Sequence, residues 1–208
     1  MKRAIQKILA MLARRIVRKY KPRIVGITGS VGKTSAREAC FSVLNSKFHC
    51  RRNVKNYNNE LGVPLTIIGA ESGGKNIFRW LSVVFQAWRL IIAKDKNYPE
   101  VLVLEMGADK PGDIEYLLSI APLDAAVVTK VGPTHLEFFD SVENVAREKS
   151  QIIAGLPASA FVALNYDDPL IRKMENKTKS RVIFFGQDEK ATVRSIDLEG
   201  QSFDAHGL

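Results

Sequence analysis

The sequence lacks several features that would point to other classes of protein. Its 208 residues contain two cysteines, Cys40 and Cys50, which have no partner pair at metal-ligand spacing. Two thiols in a chain of this size fit a reducing cytosol better than a disulfide framework. Low-complexity tracts and internal repeats are absent, and a content of 46% hydrophobic and 25% charged residues is ordinary for an α/β protein. The length is sufficient for one well-buried domain.

Acidic residues are missing from the first 23 positions, where nine of the 31 basic residues lie. The rest of the chain carries 22 basic and 22 acidic residues, so the net charge of +9 belongs to the N-terminal segment. Because no basic surface continues into the body of the protein, nucleic-acid binding is not favoured.

Residues 1–21 have helical periodicity. Arg14 and Arg15 interrupt the apolar core that a signal peptide would need. Two interpretations of this arm stay open: the helix lies on an anionic membrane surface, or it packs on its own domain or on a partner. Apolar residues recur in the arm every three or four positions, at Ile5, Ile8, Leu9, Leu12, Ile16 and Tyr20.

Long hydrophobic runs are also missing, and we predict no transmembrane segment. Residues 77–93 come nearest, but two arginines and a glutamine interrupt them. We therefore predict a long amphipathic helix over residues 77–95, with one side available to a membrane or a partner. The large apolar side chains of one face are Trp80, Val84, Trp88 and Ile91 or Ile92.

Apolar runs rich in β-branched residues alternate with amphipathic segments from residue 22 onward. The runs are RIVGIT, VLVLEMG, DAAVVTKV, AFVALN and RVIFFG. This alternation predicts an α/β fold with a mostly parallel sheet and helices on both faces, preceded by the N-terminal amphipathic helix. Ligands bind such sheets beyond the carboxyl ends of the strands, where the polar motifs of this sequence fall. Residues 191–208 look like the start of further β-structure.

The segment GITGSVGKTS follows a predicted strand and opens a predicted helix, which is the context that a phosphate loop requires. The strict pattern G-x-x-x-x-G-K-[ST] is not met, because Ile27 occupies the first glycine position. We predict that Lys33 reaches the β- and γ-phosphates of a nucleoside triphosphate and that Thr34 holds Mg²⁺. The predicted phosphate-binding residues are Thr28, Gly29, Ser30, Val31, Gly32, Lys33, Thr34 and Ser35.

Two further residues lie where strands of the predicted sheet end. Glu105 ends the strongest predicted strand, and a carboxylate facing a phosphate loop is a suitable metal ligand. A helix-capping or ion-paired acid is the alternative. His135 lies in the loop after the strand DAAVVTKV, where a single histidine is ordinarily a surface residue.

Asparagines and aspartates are concentrated in two other loops. Asn56, Asn58 and Asn59 belong to the segment NYNNELG, whose amides can donate to phosphate or substrate oxygens. The alternative is an ordinary asparagine-rich turn. Asn165 and Asp168, in the segment NYDD, are candidates for nucleotide contact, although Asp168 before proline equally fits a helix N-cap.

Taken together, these motifs resemble the Mur ligase family, and most closely its members that add D-alanyl-D-alanine. The resemblance covers about residues 22–200. It rests on five segments in this order: TGSVGKTS, NYNNELGVPLT, LEMGADKPGDI, VVTKVGPTHLEFFDSVENVAREK and ALNYDD.

The resemblance implies a P-loop NTPase-like central domain, ATP and Mg²⁺ as cofactors, and a cytoplasmic ligase of peptidoglycan synthesis. ATP would phosphorylate the carboxylate of a UDP-muramoyl peptide to an acyl phosphate, which the amine of an amino acid or of D-alanyl-D-alanine then attacks. The implied catalytic residues are Lys33, Glu105, His135 and Lys149. The implied metal ligands are Thr34, Glu105, His135 and, if it is carbamylated, Lys149.

Carbamylation of Lys149 has a physical requirement of its own. The reaction needs a neutral amine, so the site must lower the pKa of this lysine by desolvation or by a nearby positive charge. The alternative is a solvated lysine on the helix surface within the cluster of Glu143, Arg147 and Glu148.

The sequence also departs from the family pattern. We expect a helical arm over residues 1–21 and a central ATP-binding domain over residues 22–208 that is incomplete at its C-terminal end. The family's UDP-sugar domain and its acceptor-binding domain have no counterpart here, so ligase activity of this chain alone is left open. One alternative is a truncated or non-catalytic Mur-like ATP-binding protein that docks at the inner face of the membrane.

A generic P-loop NTPase is the other alternative. The segment DKPG, residues 109–112, meets the D-x-x-G element of GTPases. The guanine-reading motif N-K-x-D is absent from the sequence, which argues against a GTPase.

Overall fold

The computed structural model describes residues 2–54, 56–197 and 202–205. Eight strands among these residues form one sheet in the order β2-β3-β1-β4-β5-β6-β7-β8. Neighbouring strands pair in parallel, except that β8 runs antiparallel to β7 at the edge. The strands are β1 (Arg23–Thr28), β2 (Cys50–Arg52), β3 (Val101–Glu105), β4 (Ala125–Val128), β5 (Phe161–Asn165), β6 (Arg181–Gly186), β7 (Val193–Asp197) and β8 (Ser202–Ala205).

Helices connect most of the strands. The helices are α1 (Lys2–Tyr20), α2 (Lys33–Asn45), α3 (Gly62–Ile68), α4 (Ile77–Ile92), α5 (Asp113–Ile120), α6 (Leu136–Phe139), α7 (Val142–Ala154) and α8 (Pro169–Arg172), the last continued by a 3₁₀ turn (Lys173–Lys177). The four-residue helix α6 was not predicted, because it is too short to show a periodicity. The predicted α/β class with a mostly parallel sheet is confirmed.

The side chains of β3 show how the sheet is covered on both faces. All five residues of β3 are buried. Val101 and Val103 pack with the apolar side of α2, whereas Leu102 and Leu104 join the larger core formed with α1, α3, α4, α5 and α7. Successive side chains of a strand point to opposite faces. A strand with four consecutive apolar residues, as in β3, therefore requires helices on both sides of the sheet, as the sequence predicted.

The strand order determines where the polar motifs meet. β1 lies in the centre, with β3 on one side and β4 on the other. Successive parallel connections leave β1 in opposite directions at this point, which creates a crevice beyond the carboxyl ends of the strands. The glycine-rich loop after β1, Glu105 at the end of β3 and the segment after β4 all border this crevice.

Helix α1 packs on the domain. Its side chains Leu9, Leu12 and Ile16 are completely or almost completely buried, and it lies against α3 and α4. Ile8, which was expected on the apolar face, is 44% exposed. Of the two interpretations of the arm, the structure shows the second, because the apolar stripe that would enter a membrane is already in the core.

Polar contacts fix both the middle and the end of α1. Arg14 Nε donates to the carbonyl of Ser119 at 2.9 Å. Lys19 Nζ donates to the carbonyls of Leu90 and Ala93 at 2.8 and 2.7 Å, at the C-terminus of α4. The last carbonyls of a helix lack intrahelical donors, so Lys19 caps α4.

Helix α4 is shorter than predicted and its core-facing side differs from the expected one. It ends at Ile92 instead of residue 95, because the backbone becomes extended at Ala93. Val83, Ala87 and Leu90 are its buried residues. The predicted apolar face therefore lies at the margin of the core, where Trp80, Val84 and Ile91 are partly buried and Trp88 is exposed. No helix in the described part of the chain combines the length and apolarity needed to cross a bilayer.

Glu148 of α7 holds the N-terminus of α5. It is 7% exposed, and its carboxylate accepts hydrogen bonds from the backbone N–H groups of Gly112 and Ile114 at 3.0 and 2.9 Å. We expect Glu148→Ala to lower the free energy of unfolding by about 1–3 kcal/mol, because the buried N–H of Ile114 and the N–H of Gly112 lose their acceptor. Urea unfolding measures this change. Gln151→Ala, an exposed position on the same helix, is the control, and equal effects of the two variants would contradict the capping role.

Candidate ATP-binding site

Two glycines shape the loop between β1 and α2. Gly29 has a φ of 152°, and a Cβ at this position would lie 2.0 Å from Thr129 Oγ1. Gly32 has a φ of 85° and forms the N-cap of α2. A side chain is excluded at Gly29 by contact and disfavoured at Gly32 by conformation. The loop therefore presents a bare backbone at the N-terminus of a helix, which is the geometry that binds phosphate.

The segment after β4 supports the loop from one side. Ser30 N donates to the carbonyl of Lys130 at 2.6 Å, and Thr129 Oγ1 donates to the carbonyl of Val31 at 2.6 Å. Thr28 is fully buried, and its hydroxyl donates to the carbonyl of Met106 at 2.8 Å. These bonds fix the loop between the ends of β3 and β4. Val31, Gly32, Thr34 and Ser35 are exposed at its rim.

Lys33 lies over the loop that it follows. Its Nζ donates to the carbonyls of Gly29 and Ser30 at 2.8 and 3.2 Å. Burial lowers the pKa of Lys33, while the nearby carboxylates of Glu105 and Asp109 act to raise it. The ammonium group is thus placed among the backbone groups that would surround a phosphate.

Glu105 is in contact with the start of α2. The residue is 4% exposed, and its Oε2 accepts hydrogen bonds from Thr34 Oγ1 at 3.1 Å and from the Arg37 guanidinium at 3.3 Å. Asn58 Nδ2 donates to Oε1 at 3.0 Å. The ion-paired alternative for Glu105 thus describes the structure, and its role as a metal ligand beside Thr34 stays a prediction.

The oxygen atoms of Thr34 and Glu105 fit a magnesium ion that arrives with a nucleotide. In the described residues, no group of three or more histidines, cysteines or acids could hold a metal ion by itself. Mg²⁺ is usually bound by one or two protein oxygens, with water and phosphate oxygens completing its shell. A neighbouring hydroxyl and carboxylate meet that requirement, and a preformed protein cage is not needed.

Lys149 is buried close to the loop. It is 3% exposed, which does not fit the alternative of a solvated lysine on the helix surface. Burial lowers its pKa to about 8, the positive charge of Lys33 acts in the same direction, and Glu148 and Asp109 oppose both. The structure thus brings Lys149 into the electrostatic neighbourhood of Lys33 and provides the desolvation that carbamylation requires.

The lowered pKa of Lys149 predicts a pH dependence of stability. Between pH 8 and 10.5 the unfolded chain binds a proton at Lys149 that the native protein does not. The free energy of unfolding contributed by this residue therefore rises with pH across that window, and the burial penalty is fully present below it. We expect Lys149→Met to lack this rise in urea unfolding at several pH values, in buffer freed of carbon dioxide.

The exposed Lys173 provides the matched control for this measurement. Lys173→Met is expected to keep the pH dependence of the unmodified protein. If the free energy of unfolding changed with pH in the same way for Lys149→Met and for the unmodified protein, the lowered pKa of Lys149 would be contradicted.

His135 is the N-cap residue of helix α6 and has a left-handed conformation, with a φ of 52°. Its Nε2 lies 3.4 Å from Asp109 Oδ1, and its Nδ1 lies 3.8 Å from Glu137 Oε1. Its side chain is 44% exposed. Asp109 in turn lies within the electrostatic range of Lys33 and Lys149.

Asp109 is the site residue that the sequence reasoning missed. It was considered only as part of a GTPase-like element, yet it is the common neighbour of Lys33, Lys149 and His135. Its position four residues after Glu105, beyond the same strand end, was the available signal.

The three asparagines of the segment NYNNELG have different surroundings. Asn58 donates to Glu105 and lines a small cavity together with Asn59 and Asp109. Asn59 also caps α3, because its Oδ1 accepts from the backbone N–H of Gly62 at 3.0 Å. Asn56 is exposed. The roles of these residues toward a nucleotide or substrate stay predictions.

Asn165 and Asp168 lie along a different cleft beside Lys130. Asn165 Nδ2 donates to the carbonyl of Thr129 at 2.7 Å. Asp168 caps α8 through Leu170 N at 2.9 Å and also accepts from Val131 N at 2.8 Å. The N-cap alternative for Asp168 thus describes the structure, and nucleotide contact by this pair stays a prediction.

A glycine-rich loop at the switch point of a parallel sheet defines a P-loop type of nucleotide-binding domain. Residues 88–207 match the family model described as Mur ligase middle domain. The chain belongs to the Mur ligase family. The matched region begins within α4, so the phosphate loop itself lies outside it.

Individual relatives extend the similarity over nearly the whole chain. The chain is 30% identical over 201 residues to the UDP-N-acetylmuramoyl-tripeptide--D-alanyl-D-alanine ligase of Bacillus subtilis, covering 96% of this chain and 38% of that protein. The Mycobacterium leprae ligase of the same name is 36% identical over 160 residues, covering 77% of this chain and 26% of that protein.

A solved structure has a similar fold. The MurF ligase of Thermotoga maritima, in complex with ADP, superimposes with a TM-score of 0.74 at 33% identity, covering 96% of this chain and 42% of that one. The chain therefore spans about two fifths of the length of this relative and of the Bacillus subtilis ligase.

Proposed function

We propose that this chain is the ATP-binding middle domain of a ligase that joins a UDP-N-acetylmuramoyl tripeptide to D-alanyl-D-alanine. The names of the relatives supply the substrates, and the ADP complex of the Thermotoga maritima protein supports ATP as the nucleotide. The observation that carries the proposal is the grouping of Lys33, the Thr34–Glu105 pair and buried Lys149 around one phosphate loop. A simple NTPase has no need of the buried lysine.

The residues of the loop bind and orient the triphosphate in this proposal. Lys33 and the backbone N–H groups at the start of α2 neutralise the β- and γ-phosphate oxygens. Thr34 and Glu105 would hold Mg²⁺, which spreads the charge that develops on the transferred phosphoryl group. Asn58 and Arg37 keep the Glu105 carboxylate in position.

The reaction needs positioning more than covalent help from the protein. An oxygen of the substrate carboxylate attacks the γ-phosphorus, the bond to the bridging oxygen of ADP breaks, and an acyl phosphate forms. The amine nitrogen of the dipeptide then attacks the acyl carbon. Inorganic phosphate leaves with the electrons of the carbon–oxygen bond, and the amine loses a proton to a base.

We also propose that Lys149 is carbamylated. Its amine nitrogen would attack carbon dioxide and lose a proton, which places a carboxylate next to Lys33 and relieves the repulsion between the two ammonium groups. A pKa of about 8 leaves roughly a tenth of the amine neutral at pH 7, far more than a lysine with its ordinary pKa would have. Native mass spectrometry in bicarbonate buffer should show one added carbon dioxide that Lys149→Met lacks. Identical spectra for both proteins would contradict the modification.

The ligase proposal is tested with a full-length form of the protein. ATP, Mg²⁺, bicarbonate, the UDP-muramoyl tripeptide and D-alanyl-D-alanine are supplied, and phosphate release is followed with each substrate omitted in turn. The proposal predicts release that depends on both substrates. Phosphate release that does not depend on either substrate, or a preference for GTP over ATP, would instead support a generic NTPase.

A further inference from the structure

The outer face of α4 carries a continuous row of exposed hydrophobic side chains. Its members follow each other at intervals of three and four residues, so they lie along one side of the helix. We call this row the α4 stripe. It consists of Phe78 (76% exposed), Leu81 (58%), Phe85 (73%), Trp88 (43%) and Ile92 (77%).

Contacts on the opposite side prevent the helix from turning the stripe inward. Val83, Ala87 and Leu90 are in the core. Gln86 Nε2 donates to the carbonyls of Ile68 and Gly69 at 3.2 and 3.1 Å. The last turn is held by Lys19 of α1. Core packing and polar contacts therefore fix the rotation of α4, and the stripe stays on the surface.

The surroundings of the stripe are strongly basic. Between residues 75 and 96 Asp95 is the only acidic residue. Helix α1, which packs beside α4, adds exposed basic side chains at Lys7, Arg15 and Arg18. The basic residues of the α4 segment are Lys75, Arg79, Arg89, Lys94 and Lys96.

We propose that the α4 stripe docks the protein on an anionic lipid bilayer, with the helix lying in the plane of the membrane. Aromatic and aliphatic side chains bordered by lysine and arginine are what an interfacial helix uses to combine apolar insertion with attraction to anionic headgroups. The helix is not of the kind that crosses a bilayer. Charge complementarity favours an anionic lipid surface over an apolar protein groove as the partner, because the segment that carries the stripe contains five basic residues.

This surface differs from the membrane contact that was one of the two interpretations of residues 1–21. Most of the apolar face of α1 is buried, and only Ile8 and Met11 of its large apolar side chains are exposed, so α1 would contribute mainly charge to such a contact. The proposal does not depend on ligase activity, because no residue of the α4 stripe belongs to the glycine-rich loop or to the residues grouped around it.

The chain has a built-in probe for this proposal, because both of its tryptophans, Trp80 and Trp88, lie in α4. The experiment adds vesicles of phosphatidylglycerol or of phosphatidylcholine to the complete chain. We expect a blue shift of tryptophan fluorescence, quenching by brominated lipid and co-sedimentation with the phosphatidylglycerol vesicles. Raising the salt concentration should weaken this binding, because ions screen the attraction.

Variants separate the apolar and the charged contributions. Phe78→Ser with Phe85→Ser should lower the partition coefficient into anionic vesicles by about tenfold or more, because two inserted aromatic rings are lost. Arg79→Gln with Arg89→Gln should reduce the preference for anionic over neutral vesicles. Val43→Ser, an equally exposed apolar position on α2 (72% exposed), is the control and should bind as the unmodified protein does.

Two results would overturn the proposal. The first is absence of binding to phosphatidylglycerol vesicles, or binding that the Phe78→Ser, Phe85→Ser variant retains in full while its circular dichroism shows a folded protein. The second is a fluorescence shift that appears without lipid and grows with protein concentration, together with dimers in sedimentation velocity. That result would assign the stripe to a second copy of the chain.

Discussion

Lys33→Ala is expected to weaken ATP binding by about 10- to 100-fold, because a charge-assisted hydrogen bond to phosphate is worth about 1.5–3 kcal/mol. In the full-length ligase assay, the same change should slow substrate-dependent phosphate release by about 100- to 1,000-fold, since charge stabilisation in the transition state is lost. Calorimetric titration of the chain with ATP and Mg²⁺ measures the first effect. The structure supports the prediction by placing Lys33 Nζ over the phosphate loop.

Lys47, an exposed lysine just beyond the other end of α2, provides the control. Lys47→Ala changes the net charge equally but lies far along the helix from the loop, so its ATP affinity should stay within twofold or so of the unmodified value. If Lys33→Ala and Lys47→Ala bound ATP equally well, the loop would not be the nucleotide site. The ligase proposal would then lose its main support.

Leu12→Ala is expected to lower the free energy of unfolding by about 2–5 kcal/mol, the usual range for a leucine removed from a well-packed core. Leu12 is 1% exposed in the middle of α1 and belongs to the main core of the domain. We propose on this ground that residues 1–21 fold as one unit with the following domain. Urea unfolding of the complete chain measures the change.

Met11 is the neighbouring control, since it is 42% exposed on the outer side of the same helix. Met11→Ala should change the free energy of unfolding by about 0.5 kcal/mol or less. An arm that merely lies on the surface would tolerate both substitutions. Equal and small effects of Leu12→Ala and Met11→Ala would therefore restore the interpretation of an independent membrane helix.

The sequence allowed the site to be predicted because its residues lie at or just after the ends of predicted strands. Glu105 and Thr34 were both expected near the phosphates, and the structure places their side chains 3.1 Å apart. This agreement follows from the parallel sheet, in which residues that end neighbouring strands are brought to one edge. The position of Lys149 could not be obtained in this way, because it depends on how α7 packs against the sheet.

The sequence did not show which charged residues near the site are buried. Lys149 and Glu148 are consecutive on α7 and both buried, yet one approaches Lys33 and the other caps α5. A helical pattern of apolar residues predicts a buried face, but it does not show which polar residues at the margin of that face find partners. Those partners come from α5 and the phosphate loop, which are distant in sequence.

The sequence by itself determined the class of fold, the glycine-rich loop between β1 and α2 and the order of the strands along the chain. Each of these depends on local rules: the periodicity of apolar residues, the conformations open to glycine, and the alternation of strands and helices. The tertiary structure alone decided that the apolar face of α1 is in the core and that the α4 stripe faces outward. Two amphipathic helices look alike in sequence, and only the packing of the other helices determines which apolar face has room in the core.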